Sequence, residues 1–157
     1  MGSLRQARSI VLCGLGASAS VALDAQHKLL RFQLPVAAHT DIINQRVVAA
    51  GLKPEDCMIC ISYTGRTNAI VEVAATGRKA GAEVISITAP GSPLARNSHR
   101  VLAVAPSEDT EQYTTMSSRI AQLVIIDVLA TRLALTLGED FSEHLRRVKD
   151  VLANTRL

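Results

Sequence analysis

The chain has 157 residues, 48% hydrophobic and 20% charged, which fits one soluble domain with a full core and excludes a disordered chain. Seventeen Lys and Arg against 14 Asp and Glu give a dispersed net charge of +3, weak grounds for nucleic-acid binding. Aromatic residues are only 3%, so a ligand must be held by hydrogen bonds and charge rather than stacking.

No uninterrupted apolar run reaches the roughly 18 residues of a membrane span, and no signal peptide opens the chain. Met1-Gly2-Ser3 is read as a cloning remnant. The first strand runs from Ser9 to Cys13, and a Gly-rich turn leads into a helix from about Ala17 to Phe32. Val36 to His39 is a second short strand, after which Asp41 caps a helix ending near Gly51. Cys57 to Ile61 is apolar and uncharged, the pattern of a strand buried on both faces of a parallel sheet. Beyond it Ile70, Val71, Val73 and Ala74 recur at helical spacing, and Gly81 closes that helix. Glu83 to Ile87 is the fourth strand, Pro93 to Asn97 a helical turn, and Val101 to Val104 the fifth strand.

A long helix follows from about Thr115 to Leu137, apolar around most of its circumference. One side can face the sheet, while the other faces a second subunit or the last helix. That last helix opens with Asp140 and Glu143 at capping-box spacing and carries Phe141, Leu145, Val148 and Leu152 on one face. Strands alternating with helices predict an α/β fold, a three-layer αβα sandwich around a five-stranded parallel sheet. No linker or repeat divides residues 1–157. Cys13, Cys57 and Cys60 fall inside strands and read as buried small hydrophobes of a reducing cytoplasm.

Two loops stand out chemically. The first, Gly14-Leu15-Gly16-Ala17-Ser18-Ala19-Ser20, satisfies the dinucleotide pattern through Gly14, Gly16 and Ala19, with Asp41 as a candidate ribose partner. Ser18 and Ser20 add hydroxyls that this pattern does not need. The second, Ser62-Tyr63-Thr64-Gly65-Arg66-Thr67, surrounds one Gly with hydroxyls at a strand-to-helix junction, where free N–H groups and the helix dipole favour an anion. Helix capping is the plainer explanation of such a cluster, although one cap would suffice. In a doubly wound sheet of order 2-1-3-4-5 the loops after strands one and three flank the switch point and face each other across one crevice.

Together these loops resemble the two phosphosugar-binding loops of the SIS (sugar isomerase) domain, and the resemblance covers almost the whole chain. Ala22-Leu23-Asp24-Ala25-Gln26-His27-Lys28, Thr88-Ala89-Pro90-Gly91-Ser92-Pro93-Leu94-Ala95 and Ser118-Arg119-Ile120 resemble more particularly the effector half of RpiR-type transcription regulators of hexose catabolism. The resemblance implies a five-stranded parallel sheet, a homodimer, and 2-keto-3-deoxy-6-phosphogluconate as effector, contacted by Ser18 and Ser62. Gly16, Ser20, Tyr63, Thr64, Gly65 and Thr67 complete the expected phosphate cradle.

RpiR-type regulators carry an N-terminal helix-turn-helix domain, and no helical triplet precedes Ser9. The expectation is therefore an isolated effector domain that reaches operator DNA only through the missing domain. Isomerase relatives place an acid–base Glu three residues beyond a Lys; an approximate alignment puts that Lys on Lys28 and the Glu position on Arg31. A guanidinium cannot serve as that base, so no enzyme activity and no catalytic residue is expected. Lys28 and Arg31 either face the carboxylate of a sugar acid or are solvated helix charges. Glu108 and Asp109 either bind sugar hydroxyls or belong to a surface loop. His27 and His39 are candidates for supporting the ligand contacts from behind, whereas His99 and His144 read as surface positions. No two His, Cys or acidic residues show metal-ligand spacing, so no metal is expected, nor any cofactor. The competing readings are a small phosphosugar isomerase and a dinucleotide-binding module.

Overall fold

Three of the strands are apolar runs with almost no exposed residue, and they occupy the centre of a fully parallel sheet. In the computed structural model, which describes residues 2–105 and 117–153 (side chains of Ser3, Glu139 and Asp140 excepted), the strands are β1 (Ser9–Gly14), β2 (Val36–His39), β3 (Asp56–Ile61), β4 (Glu83–Thr88) and β5 (Arg100–Ala103). Their order is β2-β1-β3-β4-β5, as expected. The helices are α1 (Gly2–Gln6), α2 (Ala17–Leu29) with a 3-10 turn Leu30–Phe32, α3 (Ile42–Ala50), α4 (Asn68–Lys79), α5 (Pro93–Arg96) and α6 (Ser117–Ala153).

Strand periodicity divides the core between the two faces of the sheet. Ile10, Leu12, Ile59, Ile61, Ile85 and Ile87 pack with α2 and α6 through Val21, Ala25, Leu29, Ile126, Leu129 and Leu133. Val11, Cys13, Met58, Cys60 and Val84 pack with α3, α4 and α5 through Ala49, Ile70, Val73, Ala74 and Leu94. Cys57 and Cys60 fall on opposite faces, and all three cysteines are free and buried. Burial pushes the Cys57 thiol up to about 12, and Cys60 is raised by its hydrogen bond with Cys13 and by burial, so neither forms a thiolate readily.

The N-terminal segment Gly2–Gln6 is helical, an element that the sequence pattern does not announce, and Leu4, 1% exposed, belongs to the core on the α2 and α6 face. The expected division between the last two helices is present: α6 is broken at Gly138, one residue past Leu137, where a φ of 72° and a ψ of −156° are not helical. The Asp140 side chain of the expected capping box lies outside the described residues. Finally, the 22 residues Ser117–Gly138 are long and apolar enough to cross a membrane by length and composition. Arg119, Asp127 and Arg132 interrupt the run and hide this from a count of consecutive apolar residues. Ile126, Leu129 and Leu133 are buried against the sheet, while Ile120, Val124, Val128 and Leu135 on the same stretch are exposed.

One ion pair fixes the start of the sheet. Asp56, almost wholly buried where β3 begins, accepts from Arg8 Nε at 3.0 Å and Nη2 at 2.7 Å, from Ser9 Oγ at 2.7 Å and from the Lys53 N–H at 2.9 Å. Ser9 is its register partner on β1, so the carboxylate locks the β1–β3 alignment from below. The bidentate bond from Arg8 holds the Asp56 carboxyl down to about 2, well below the ordinary 3.8. A depressed carboxylate contributes stability above its unfolded pKa, and that stability is lost as pH falls through the folded value. Urea unfolding should therefore show about 2 kcal/mol disappearing between about pH 4 and pH 2. Asp56→Asn should lose a similar amount at neutral pH and lack this acid limb.

Candidate functional site

The crevice begins where the last residues of β1 and β3, Gly14 and Ile61, pair in register, so that their loops leave the sheet side by side. β2 lies on one side of this pair and β4 on the other, which makes it the point where the strand order reverses. In the first loop an added Cβ on Gly14 would meet the Ser18 carbonyl oxygen at 2.5 Å, so only Gly lets α2 fold back over the strand end. Gly16 sits at the N-cap of α2 with φ 56°, in the left-handed region, makes no side-chain cap, and has open space before it. Ser18 is buried at 8% exposure. Ser20 is exposed and donates to the Ala17 carbonyl at 2.8 Å.

The second loop is stitched to the end of β4. Ser62 N–H donates to the Ile87 carbonyl at 3.1 Å, and the Tyr63 carbonyl accepts from Ala89 N–H at 2.9 Å. The Ser62 side chain, 8% exposed, makes no hydrogen bond among the described residues. Tyr63 is buried and its hydroxyl donates to the Ala105 carbonyl at 3.5 Å. Thr64 Oγ1 accepts from Arg66 N–H at 3.4 Å, while Thr67 stands at the N-cap of α4 without a side-chain cap bond. Capping therefore does not account for Thr67, and it leaves the Ser62 hydroxyl unexplained. Gly65 also makes a close approach to the protein itself. Its φ is 63°, and an added Cβ would lie 2.2 Å from Ser92 Oγ and 2.4 Å from Thr88 Oγ1, so its close approach is to β4 and α5.

A layer of buried polar side chains supports both loops, and sequence reasoning did not single it out. Gln45, fully buried on α3, donates from Nε2 to the carbonyls of Gly14 at 3.0 Å and His39 at 2.6 Å, tying together the ends of β1 and β2. Thr88 Oγ1 and Ser92 Oγ lie 3.3 Å apart beneath Gly65. Gln122, on α6 and 2% exposed, reaches the Ser18 hydroxyl at 3.5 Å. Asp41 Oδ1 accepts from the N–H groups of Ile43 and Asn44, both at 3.0 Å, so it caps α3 as expected.

Lys28 and Arg31 are not brought to these loops within one chain. Ten residues of α2 separate Ser18 from Lys28, which at 1.5 Å per residue is about 15 Å toward the other end of the sheet. Lys28 Nζ lies 2.7 Å from Asp24 and also pairs with Asp127 on α6. Burial works against this ammonium, but its hydrogen bonds to Asp127 and Asp24 outweigh it and raise the pKa. The Arg31 side chain is exposed, and its carbonyl lies 3.1 Å from His144 Nε2. His144 Nδ1 is 2.8 Å from Gln33 Nε2, and His99 Nδ1 accepts from Val84 N–H at 2.9 Å, so both histidines have structural partners. Glu108 and Asp109 lie outside the described residues.

Paired loops at a switch point, with buried hydroxyls and a left-handed Gly at a helix start, are matched by sequence comparison. The SIS domain family matches residues 3–132. The chain belongs to the SIS domain family. This SIS domain is 54% identical over 153 residues to the HTH-type transcriptional regulator HexR of Pseudomonas aeruginosa, covering 98% of the chain and 54% of that protein. It is 44% identical over 153 residues to the HexR of Escherichia coli, covering 98% and 53%. The chain thus spans about half the length of these curated relatives. Among solved structures, the Vibrio vulnificus NanR protein complexed with ManNAc-6P superposes with a TM-score of 0.89 at 23% identity, covering 99% of this chain and 59% of that one, which establishes the shared fold.

The contact beneath the second loop of this SIS domain gives a direct test. Gly65→Ala should cost about 1–3 kcal/mol in urea unfolding, through the positive φ and the collision with Ser92. A variant as stable as the parent would show that the loop can withdraw from β4.

Proposed function

We propose that this SIS domain is the effector-sensing part of a transcription regulator of sugar catabolism, and that it binds a phosphosugar acid, 2-keto-3-deoxy-6-phosphogluconate, without turning it over. The observation that carries the reading is the pair of buried hydroxyls, Ser18 and Ser62, on loops leaving adjacent strands. Gly16 opens α2 beside them with a positive φ and no side-chain cap, and the Thr67 hydroxyl is not spent on capping. The phosphate lies against Gly16, Ser18, Ser62, Thr64 and Thr67, with Tyr63 and Gly65 shaping the second loop and Ser20 at its rim. Lys28 and Arg31 belong to this site only if chain elements beyond one protomer's crevice bring them in, and Lys28 would first have to leave Asp24 and Asp127; Glu108 is proposed to bind the sugar hydroxyls.

Identity to regulators named HexR over nearly the whole chain supports sensing over catalysis. A structure of the same fold complexed with ManNAc-6P supports a phosphosugar as the ligand class. The domain works as a cytoplasmic homodimer, and operator DNA is read by a helix-turn-helix domain of the parent regulator. The dimer reading rests on α6, where Ile120, Val124, Val128 and Leu135 are 53–74% exposed on a largely apolar helix.

Hydrogen bonds to a charged group contribute about 1.5–3 kcal/mol each, so removal of one serine hydroxyl should be plainly measurable. Titration calorimetry with 2-keto-3-deoxy-6-phosphogluconate should show Ser18→Ala and Ser62→Ala each weakening binding about tenfold or more. Unchanged affinity in both would remove these loops from the site. Light scattering at micromolar concentration should give twice the chain mass; a monomer would contradict the dimer.

A further inference from the structure

Gln122 is a primary amide at 2% exposure, and among the described residues its side chain meets one polar partner, the Ser18 hydroxyl. Such an amide has two donors and an acceptor of two lone pairs, and burying it without good bonds is unfavourable. The contact is also long. Oxygen-to-oxygen bonds cluster near 2.7–2.8 Å and nitrogen-to-oxygen bonds near 2.9–3.0 Å, whereas Ser18 Oγ lies 3.5 Å from both Gln122 Oε1 and Gln122 Nε2. The serine oxygen is therefore equidistant from the acceptor end and the donor end of one buried amide.

This symmetry allows two pairings. In one, the Ser18 O–H donates to Oε1 and its proton points away from the crevice. In the other, the amide N–H donates to Ser18 Oγ, and the hydroxyl proton is released to point at whatever occupies the loop. An anion favours the second arrangement, because it needs the proton and because a hydroxyl that accepts a bond becomes a stronger donor. We infer that Gln122 is a positioning residue of the phosphosugar site, which turns the Ser18 hydroxyl proton toward the bound anion by switching its bond with that hydroxyl from the amide oxygen to the amide N–H.

The inference rests on the phosphosugar reading above and adds the residue through which the first loop is oriented. It also carries occupancy of the crevice to α6, because Gln122 belongs to the same helix as the exposed Ile120 and Val124. Glutamine in a helix gives no sign of this in sequence, since its partner is 104 residues away.

A double-mutant cycle separates orientation of Ser18 from general support of the fold. Affinity for 2-keto-3-deoxy-6-phosphogluconate would be measured by calorimetry on the parent protein, Ser18→Ala, Gln122→Leu and the double variant, with thermal unfolding recorded for each. Leu keeps the volume and removes the amide, so the variant should fold, and its binding should weaken about fivefold or more. In the Ser18→Ala background the same change should have almost no further effect. Gln122→Glu, which can only accept from the serine and adds a negative charge, should bind more weakly than Gln122→Leu, and it serves the test if the Leu variant does not fold. Full affinity in Gln122→Leu, or additive losses in the double variant, would overturn the inference while leaving the site in place. Full affinity in Ser18→Ala and Ser62→Ala would overturn the phosphosugar reading itself.

Discussion

The register between β1 and β3 is the constraint on which the rest depends. Because Gly14 and Ile61 pair at the end of the ladder, two loops distant in sequence emerge together, and their serines share one end of one sheet. A parallel sheet makes this possible, since every strand sends its following loop to the same edge. The alignment is locked at the opposite end by Asp56, which gathers bonds from Arg8, Ser9 and Lys53 around the first residue of β3. An ion pair at the base of the sheet thus fixes the geometry of a crevice at its top.

Around the crevice, glycines and amides divide the labour between structure and binding. Gly14 and Gly65 are needed for close approach of protein to protein, the first under α2 and the second against Thr88 and Ser92. Gly16 is different, having a left-handed backbone and nothing within reach of an added Cβ, and it is the one whose space faces outward. Gln45 ties the ends of β1 and β2 from below, and Gln122 touches Ser18 from α6. The hydroxyls therefore project from a rigid floor rather than from free loops, which limits the ordering needed on binding.

Much of this was legible in the residue pattern. The buried strands announce themselves as uncharged apolar runs, and the clusters of Ser and Thr around Gly mark the loops that follow β1 and β3. What could not be read are contacts made across the chain. Gln45 and Gln122 look like helix surface residues until folding places Gly14 and Ser18 beside them, and the packing of Gly65 against Thr88 and Ser92 shows only once β4 and α5 lie behind it. α1 is too short for periodicity to reveal, so the burial of Leu4 was missed. Alignment draws Lys28 and Arg31 toward the site, although ten residues of α2 alone set Lys28 about 15 Å from Ser18.

The central claim is that both loops grip one phosphate. A crystal structure of the protein soaked with 2-keto-3-deoxy-6-phosphogluconate tests it most directly. The account predicts phosphate oxygens within about 3 Å of both Ser18 Oγ and Ser62 Oγ. Phosphate seated elsewhere, as in the groove between Arg31 and Lys149 at the C-terminal end of α6, would contradict it.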